Sequence, residues 1–488
     1  MPKSEDKSEK KLKAGVQESK NEGDPSNKAK ANKMNYFEPL SRMGEESGKL
    51  ASGQLGPMKL VLKAMSLKDR GKLAQVSKWH KEQTTNELNT RVPKIQSVVV
   101  GSTYTMLLVN TWPDHVKKTE ENMKVRLYAC GWNCEGQFDL GDIISGKKWT
   151  EVTIPEGFEI EKVIDGGWHT FLKGKDVNGE DRLYAGGHST TGQLGLGNMY
   201  RTGFTKVPLP AGFKIEKVIC GKYLSFLKGK DESGEIKLYG CGYNPFGQLG
   251  LGDRMRIHEF TEVPLPVGFT LEEVVAGYDS TYVRGKDQGG EDELYAAGAN
   301  YDGQLGLGHV TTRKEFTKVP LPEGFKIEKM IAGQGDILIK GKDESGDVKL
   351  YGSGLNWGME LGSGDNENRN YLTEVQLPKG FTVEKVIAGR NHSFLIGKGK
   401  DGEDKLYACG SNQYGQLGLG HFDDRHQFTG VNVGVLGLIK EEIRIQDNQT
   451  YLDGVDSEGQ DKTYACGEDI GYNFQEVSNQ QNQCSMTY

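Results

Sequence analysis

From residue 95 onward the apolar positions fall in runs of three to five, cut by Gly, Asp and Pro, and no stretch holds the 3.6-residue spacing of a helix for long. Residues 215 to 264 show one unit in full. Val218-Ile219-Cys220-Gly221 and Leu224-Ser225-Phe226-Leu227 precede a polar turn, Lys230-Asp231-Glu232-Ser233-Gly234; then come Lys237-Leu238-Tyr239, a Gly-rich loop, and Phe260-Thr261-Glu262-Val263. The order predicts four short strands. The Leu-Tyr pair of the third strand recurs at Leu127, Leu183, Leu238, Leu294, Leu350 and Leu406, and as Thr463-Tyr464, at intervals of 55 to 57 residues. Four-stranded units of this size cannot bury their faces alone, and seven of them close radially. The expectation is an all-β, seven-bladed β-propeller of four-stranded blades over 95–478, with a short tail at 479–488.

Ahead of the propeller the pattern changes twice. Residues 1–56 are rich in Lys, Glu, Ser, Asn and Gly with few aromatics, a composition that cannot offset the entropy of ordering, so a disordered polar tail is expected. From Pro57 apolar residues return at helical spacing, at Leu60, Val61, Ala64, Met65 and Leu67 and then Leu73, Val76 and Trp79, which predicts short helices over 57–90.

Composition narrows the function classes. The 67 glycines and the 35% hydrophobic share suit short strands and turns. No run of apolar residues is long enough to span a bilayer, and Met1-Pro2-Lys3-Ser4 lacks the apolar core of a secretory signal, so an intracellular protein, cytoplasmic or nuclear, is expected. Residues 1–90 carry 18 Lys/Arg against 12 Asp/Glu, and residues 91–488 carry 43 against 56, a net of −13. An acidic propeller repels phosphate backbones and argues against nucleic acid or chromatin as the main partner.

Motifs of catalysis and ligation are weak. The nearest cysteine pair, Cys130 and Cys134, is one residue too far apart for a C-x-x-C metal site. Aligned on the Leu-Tyr strand, Cys130, Gly186, Cys241, Ala297, Ser353, Cys409 and Cys466 occupy one position and share only small size, which points to packing. Gly141 to Lys148 has phosphate-loop spacing, but Lys148 stands where a hydroxyl is needed. The acidic turns at 175–181 and near 230, 286, 342 and 400 lack the ligand ladder of a calcium loop and are expected to be hairpin tips. Ser, His and Asp do not recur as a triad, so neither a catalytic residue nor a metal or other cofactor is expected.

Two resemblances follow from these residues. Gly-Gln-Leu-Gly-Leu-Gly stands at 192–197, 247–252, 303–308 and 415–420, with weaker forms at 136–141 and at Met359-Glu360-Leu361-Gly362-Ser363-Gly364. With Asn-x-x-Gly before it, this resembles the regulator-of-chromosome-condensation repeat, across nearly four-fifths of the chain. The family's His in Gly-x-x-His is present only as His169 and His392; Leu224, Ser280 and Asp336 replace it elsewhere. The string from Pro57 through Leu67 and Asp69 to Val76-Ser77-Lys78-Trp79 looks like an F-box. That resemblance implies docking to the Skp-type adaptor of a cullin ubiquitin ligase through Pro57, Leu60, Leu62, Met65, Leu67, Val76 and Trp79.

One irregularity breaks the repeat. From Gly101 to Leu127 there are 26 positions where other blades have 17, and the surplus lies in 110–122, with Trp112, Asp114, His115, Lys117 and Lys118 as candidate partner contacts. The expected function is a non-catalytic adaptor that joins a substrate protein to a ubiquitin ligase. The alternative is guanine nucleotide exchange on a Ran-like small GTPase, the best-known activity of such propellers. An F-box joined to a propeller implies a eukaryotic ubiquitin system, that of the host cell if a bacterium delivers the chain.

Overall fold

The structure, a computed structural model, describes residues 94–100, 104–111, 124–131, 133, 146–197, 203–433, 438–446, 448–456 and 461–477. These residues form seven four-stranded antiparallel sheets, each pairing in chain order. The blades span 94–152, 158–206, 214–262, 270–318, 326–374, 382–431 and 438–476, and are called blades 1 to 7. Among the described residues there is no helix.

The apolar runs arise because both faces of a blade are buried. In blade 3 the second strand, Leu224–Lys230, sends Leu224 and Phe226 toward blade 4 and Leu227 toward blade 2. A strand covered on both sides reads as continuous apolar sequence instead of alternating. The core therefore lies in slots between successive blades, as where Leu338, Leu350 and Leu361 of blade 5 meet Val383, Val386 and Leu395 of blade 6. Leu107 and Tyr128 of blade 1 occupy the register of Leu172 and Tyr184 in blade 2 and are buried.

The first strand of each blade carries a bulge against the second, as between Ile327 and Lys329. A bulge bends and twists the strand. It also brings backbone close, so a Cβ at Gly229 would collide with the Lys214 carbonyl, and Gly174, Gly285, Gly341 and Gly397 meet the same obstacle. This accounts for the Gly in every Lys-Gly-Lys-like strand end of blades 2 to 6.

The acidic turns are hairpin tips. Asp176 accepts hydrogen bonds from the amides of Asn178 and Glu180, while Gly179 takes a φ of 76°. Gly146–Val152 is a strand, so the phosphate-loop spacing ends in a sheet where that motif needs a helix. These tips lie at one end of the ring with the links between blades. At the other end lie the turns joining first to second strands and the long loops joining third to fourth strands, which form the loop face.

Candidate protein-interaction face

Most of the loop signature is structural. Asn244 is fully buried; its Oδ1 accepts the Leu249 amide at 2.9 Å, and its Nδ2 donates to Asp253 Oδ1 at 3.0 Å. Asn300, Asn356 and Asn412 brace their loops in the same way. The following Gln folds back on its own turn, with Gln248 Oε1 accepting the Phe246 amide at 3.1 Å. Each loop then clasps the next blade. The Gln193 carbonyl of blade 2 accepts from the Ser225 hydroxyl of blade 3 at 2.8 Å and from Cys241 Sγ at 3.5 Å, and the Gln416 carbonyl takes Thr450 and Cys466 of blade 7 equivalently.

The small-residue position is therefore a packing site at the seam. Cys241, Cys409 and Cys466 are buried free thiols, and burial pushes each thiol's pKa upward, away from reactive thiolate. The repeat histidines are also structural. His169 Nε2 lies 2.9 Å from Ser225 Oγ and His392 Nε2 lies 3.3 Å from Thr450 Oγ1, each crossing to the next blade. Burial lowers their pKa values to about 3 and about 4, so both rings are neutral at pH 7. Tyr104 fills the same role in blade 1, with its hydroxyl 2.7 Å from Thr170 Oγ1.

Blade 5 departs from this scheme. Its position for the repeat His is Asp336, and its position for the loop Gln is Glu360; they are 2% and 1% exposed. No carboxylate oxygen of either has a hydrogen-bond partner among the described residues, and Ser393 Oγ on blade 6 is also unpartnered. Burial, reinforced by Glu360, holds the Asp336 pKa well above the carboxylate range, outweighing the nearby amides of Gly335 and Asp336 itself. Burial likewise raises Glu360 to about 7, against the amides of Glu360 and Gly358.

The backbone there is unusual as well. The loop glycines Gly247, Gly303 and Gly415 hold φ near 80°, and a Cβ at Gly247 would collide with Lys314 Cα of the next blade. Met359 stands at this position in blade 5 with a φ of 63°. A non-glycine residue in the left-handed region costs about 1 kcal/mol or more.

What the clasp leaves outward is aromatic. At the turn before the loop Gly, Tyr301 is 62% exposed, Trp357 73% and Tyr414 44% on blades 4, 5 and 6. Phe246 of blade 3 meets Tyr301 edge-on with ring centroids 5.9 Å apart. A second ladder of rings runs from Trp168 through His188 and Tyr223 to Tyr243, with successive centroids 6.1 to 6.5 Å apart. Lys222 Nζ lies 5.4 Å from the Tyr223 ring and 4.8 Å from that of Tyr278, joining blade 3 to blade 4. Rigid aromatics on a scaffold are suited to anchoring a protein partner.

The opposite end offers less. A groove between blades 2 and 3 is lined by Lys175, Arg182 and Lys206, but Lys175 pairs with Asp181 at 3.1 Å and Arg182 with Asp176 at 2.5 Å. Among the described residues no cluster of His, Cys, Asp and Glu could hold a metal ion.

The residues singled out in the sequence fall elsewhere. Pro57, Leu60, Leu62, Met65, Leu67, Val76 and Trp79 lie outside the described residues, as do Trp112, Asp114, His115, Lys117 and Lys118. Tyr301, Trp357 and Tyr414 sit inside the repeated loop, where the sequence pattern does not set them apart as contacts. The signal for blade 5 was present, since Met359 and Glu360 replace the Gly-Gln of the loop signature.

Comparison with known proteins agrees with this architecture. Residues 403–430, in the third and fourth strands of blade 6 and the loop between them, match the Regulator of chromosome condensation (RCC1) repeat. The chain is 28% identical over 303 residues to the ultraviolet-B receptor of Arabidopsis thaliana, which covers 60% of this chain and 63% of that one. It is 27% identical over 256 residues to the secretion-regulating guanine nucleotide exchange factor of Bos taurus, covering 48% and 49%. The chain thus spans less than two thirds of either relative. The crystal structure of human WBSCR16 shares the fold with a TM-score of 0.50 and 18% identity, over 70% of this chain and 83% of that one. The described residues thus form a seven-bladed propeller, and residues 403–430 of its sixth blade match the regulator of chromosome condensation repeat.

Proposed function

We propose that the chain is a non-catalytic interaction adaptor, with the loop face of the propeller holding a partner protein and residues 57–79 recruiting a ubiquitin ligase. The observation that carries the first half is the row Tyr301, Trp357 and Tyr414, exposed at one turn of three consecutive blades. Large aromatics left in water on a rigid ring favour a partner that covers them. The second half rests on the F-box-like residues Pro57, Leu60, Leu62, Met65, Leu67, Val76 and Trp79, which would lay an apolar face against a Skp-type adaptor. In this reading 1–56 and 479–488 are polar tails and 57–90 is the recruiting segment, while Trp112, Asp114, His115, Lys117 and Lys118, in the segment that links Thr111 to Lys124 at the hairpin-tip end of blade 1, offer a second contact apart from the loop face. The protein acts inside the cell, where that ligase system operates.

Co-purification of the full chain with a Skp-type adaptor tests recruitment. Binding is expected for the unaltered chain and is lost on Leu60→Asp with Trp79→Asp; binding that survives the double substitution rejects it. A second reading, nucleotide exchange on a Ran-like small GTPase, is supported by the likeness to the bovine exchange factor. Faster release of labelled GDP from such a GTPase would favour it, and an unchanged rate removes it.

A further inference from the structure

The loop face is electrically divided. The long loops of blades 4, 5 and 6, residues 299–312, 355–368 and 411–424, carry Asp302, Glu360, Asp365, Glu367, Asp423 and Asp424; the cations beside them are fewer, Arg313, Arg369 and Arg425 at the start of the fourth strands, with Arg369 paired to Asp365 at 2.6 Å, and exposed Arg390 in the first turn of blade 6. Blade 3 carries more cations than acids, with Lys222 over two tyrosine rings, Arg254 exposed and Arg256 6.0 Å from the Tyr243 ring, against the exposed Asp253. The acidic loops are the ones that present Tyr301, Trp357 and Tyr414 to water.

A second observation points the same way. Glu360, three residues after Trp357, is buried with neither carboxylate oxygen hydrogen-bonded among the described residues, in a position that the intact signature fills with neutral Gln. A buried carboxylate without a partner is costly, and a nearby cation offsets that cost. Trp and Tyr rings favour cations over their faces. Asp302 Oδ1 already accepts from Asn368 Nδ2 at 3.0 Å, tying the loops of blades 4 and 5 into one surface, and Glu367 beside it is exposed.

We propose that the sector of the loop face formed by blades 4 to 6 binds a Lys- and Arg-bearing segment of a partner protein. Its cations lie over Trp357 and Tyr301 and against Asp302 and Glu367, and blade 3 repels the same segment. This rests on the loop face being the partner-binding surface and adds the partner's chemistry.

The test titrates the full chain with a fluorescein-labelled peptide of alternating Arg and Ala, with a Glu and Ala peptide as control. The Arg peptide binds and the Glu peptide does not, and added salt weakens the complex. Trp357→Ala lowers affinity about tenfold, as does Asp302→Asn with Glu367→Gln, whereas Lys222→Ala leaves it unchanged or raises it. Trp357→Phe, which keeps an aromatic face, loses less than Trp357→Ala and guards against a folding defect. Absence of binding, equal binding of the Glu peptide, or an equal loss on Lys222→Ala overturns the proposal. A photo-crosslinking residue at Arg254 separates the two claims. Capture of a protein there without binding of the Arg peptide refutes the basic segment and leaves the loop-face reading standing. Absence of capture from both Arg254 and Trp357 refutes that reading too.

Discussion

His169 Nε2 lies 2.9 Å from the Ser225 hydroxyl across the seam between blades 2 and 3, and the same hydroxyl donates to the Gln193 carbonyl at 2.8 Å. One side chain thus links a blade, its own loop and its neighbour. His392, Thr450 and Gln416 repeat the arrangement between blades 6 and 7. The seams are held by apolar slots closed at the loop end by these polar links.

Acid should open the seams. Both histidines are buried neutral, with pKa values lowered to about 3 and about 4, whereas in the unfolded chain they titrate near 6.5. The unfolded state therefore binds more protons below about pH 6.5, and stability falls as the pH drops from there toward 4. Two such groups together lower it by several kcal/mol at pH 4. Denaturant unfolding at pH 7 and pH 4.5 should show this loss, and His169→Gln with His392→Gln should reduce the difference between the two conditions.

Glu360 has the opposite sign. Its folded pKa, raised to about 7, exceeds the unfolded value near 4.3, so the folded state binds more protons and stability is lost as pH rises through that interval. Glu360→Gln restores the loop signature and removes the charge. It should stabilise the chain by about 2 kcal/mol at pH 8 and by little at pH 4, read as a shift in the urea midpoint. A variant less stable than the parent at pH 8 would contradict the burial argument.

The loop glycines and Met359 give a reciprocal pair. Met359→Gly relieves a left-handed backbone at φ 63° and should be neutral or stabilising by up to about 1 kcal/mol. Gly247→Ala places a Cβ against Lys314 Cα at a position with φ 79° and should cost about 2 kcal/mol or more. Melting temperatures of the two variants should move in opposite directions or, for Met359→Gly, hardly at all.

Surface aromatics should be separable from stability. Trp357→Ala and Tyr301→Ala remove side chains that are mostly in water, so unfolding free energies should change by less than about 0.5 kcal/mol. Phe226→Ala, in the slot between blades 3 and 4, should cost about 3 to 5 kcal/mol.

The propeller was readable in the sequence because its code is local and repeated. The 55 to 57 residue interval and the paired turn signals set the strands, and observed bounds such as Ile257–Glu262 differ from the sequence reading by only a few residues. The loop face was less readable. Asn300 and Tyr301 are neighbours in one Gly-rich loop, yet Asn300 is a buried strut and Tyr301 projects into water. What separates them is the clasp onto the next blade, a tertiary relationship that local pattern does not encode. Blade 5 lay between these cases. Its substitutions were visible, but their meaning required the buried and unpartnered carboxylates of Asp336 and Glu360.

The loop face is proposed as the partner-binding surface. A photo-crosslinking residue placed at Trp357 and, in a separate variant, at Val267 on the links at the opposite end tests it most directly. Crosslinking to a protein partner is expected from position 357 and none from 267; capture from 267 alone would overturn the loop-face proposal.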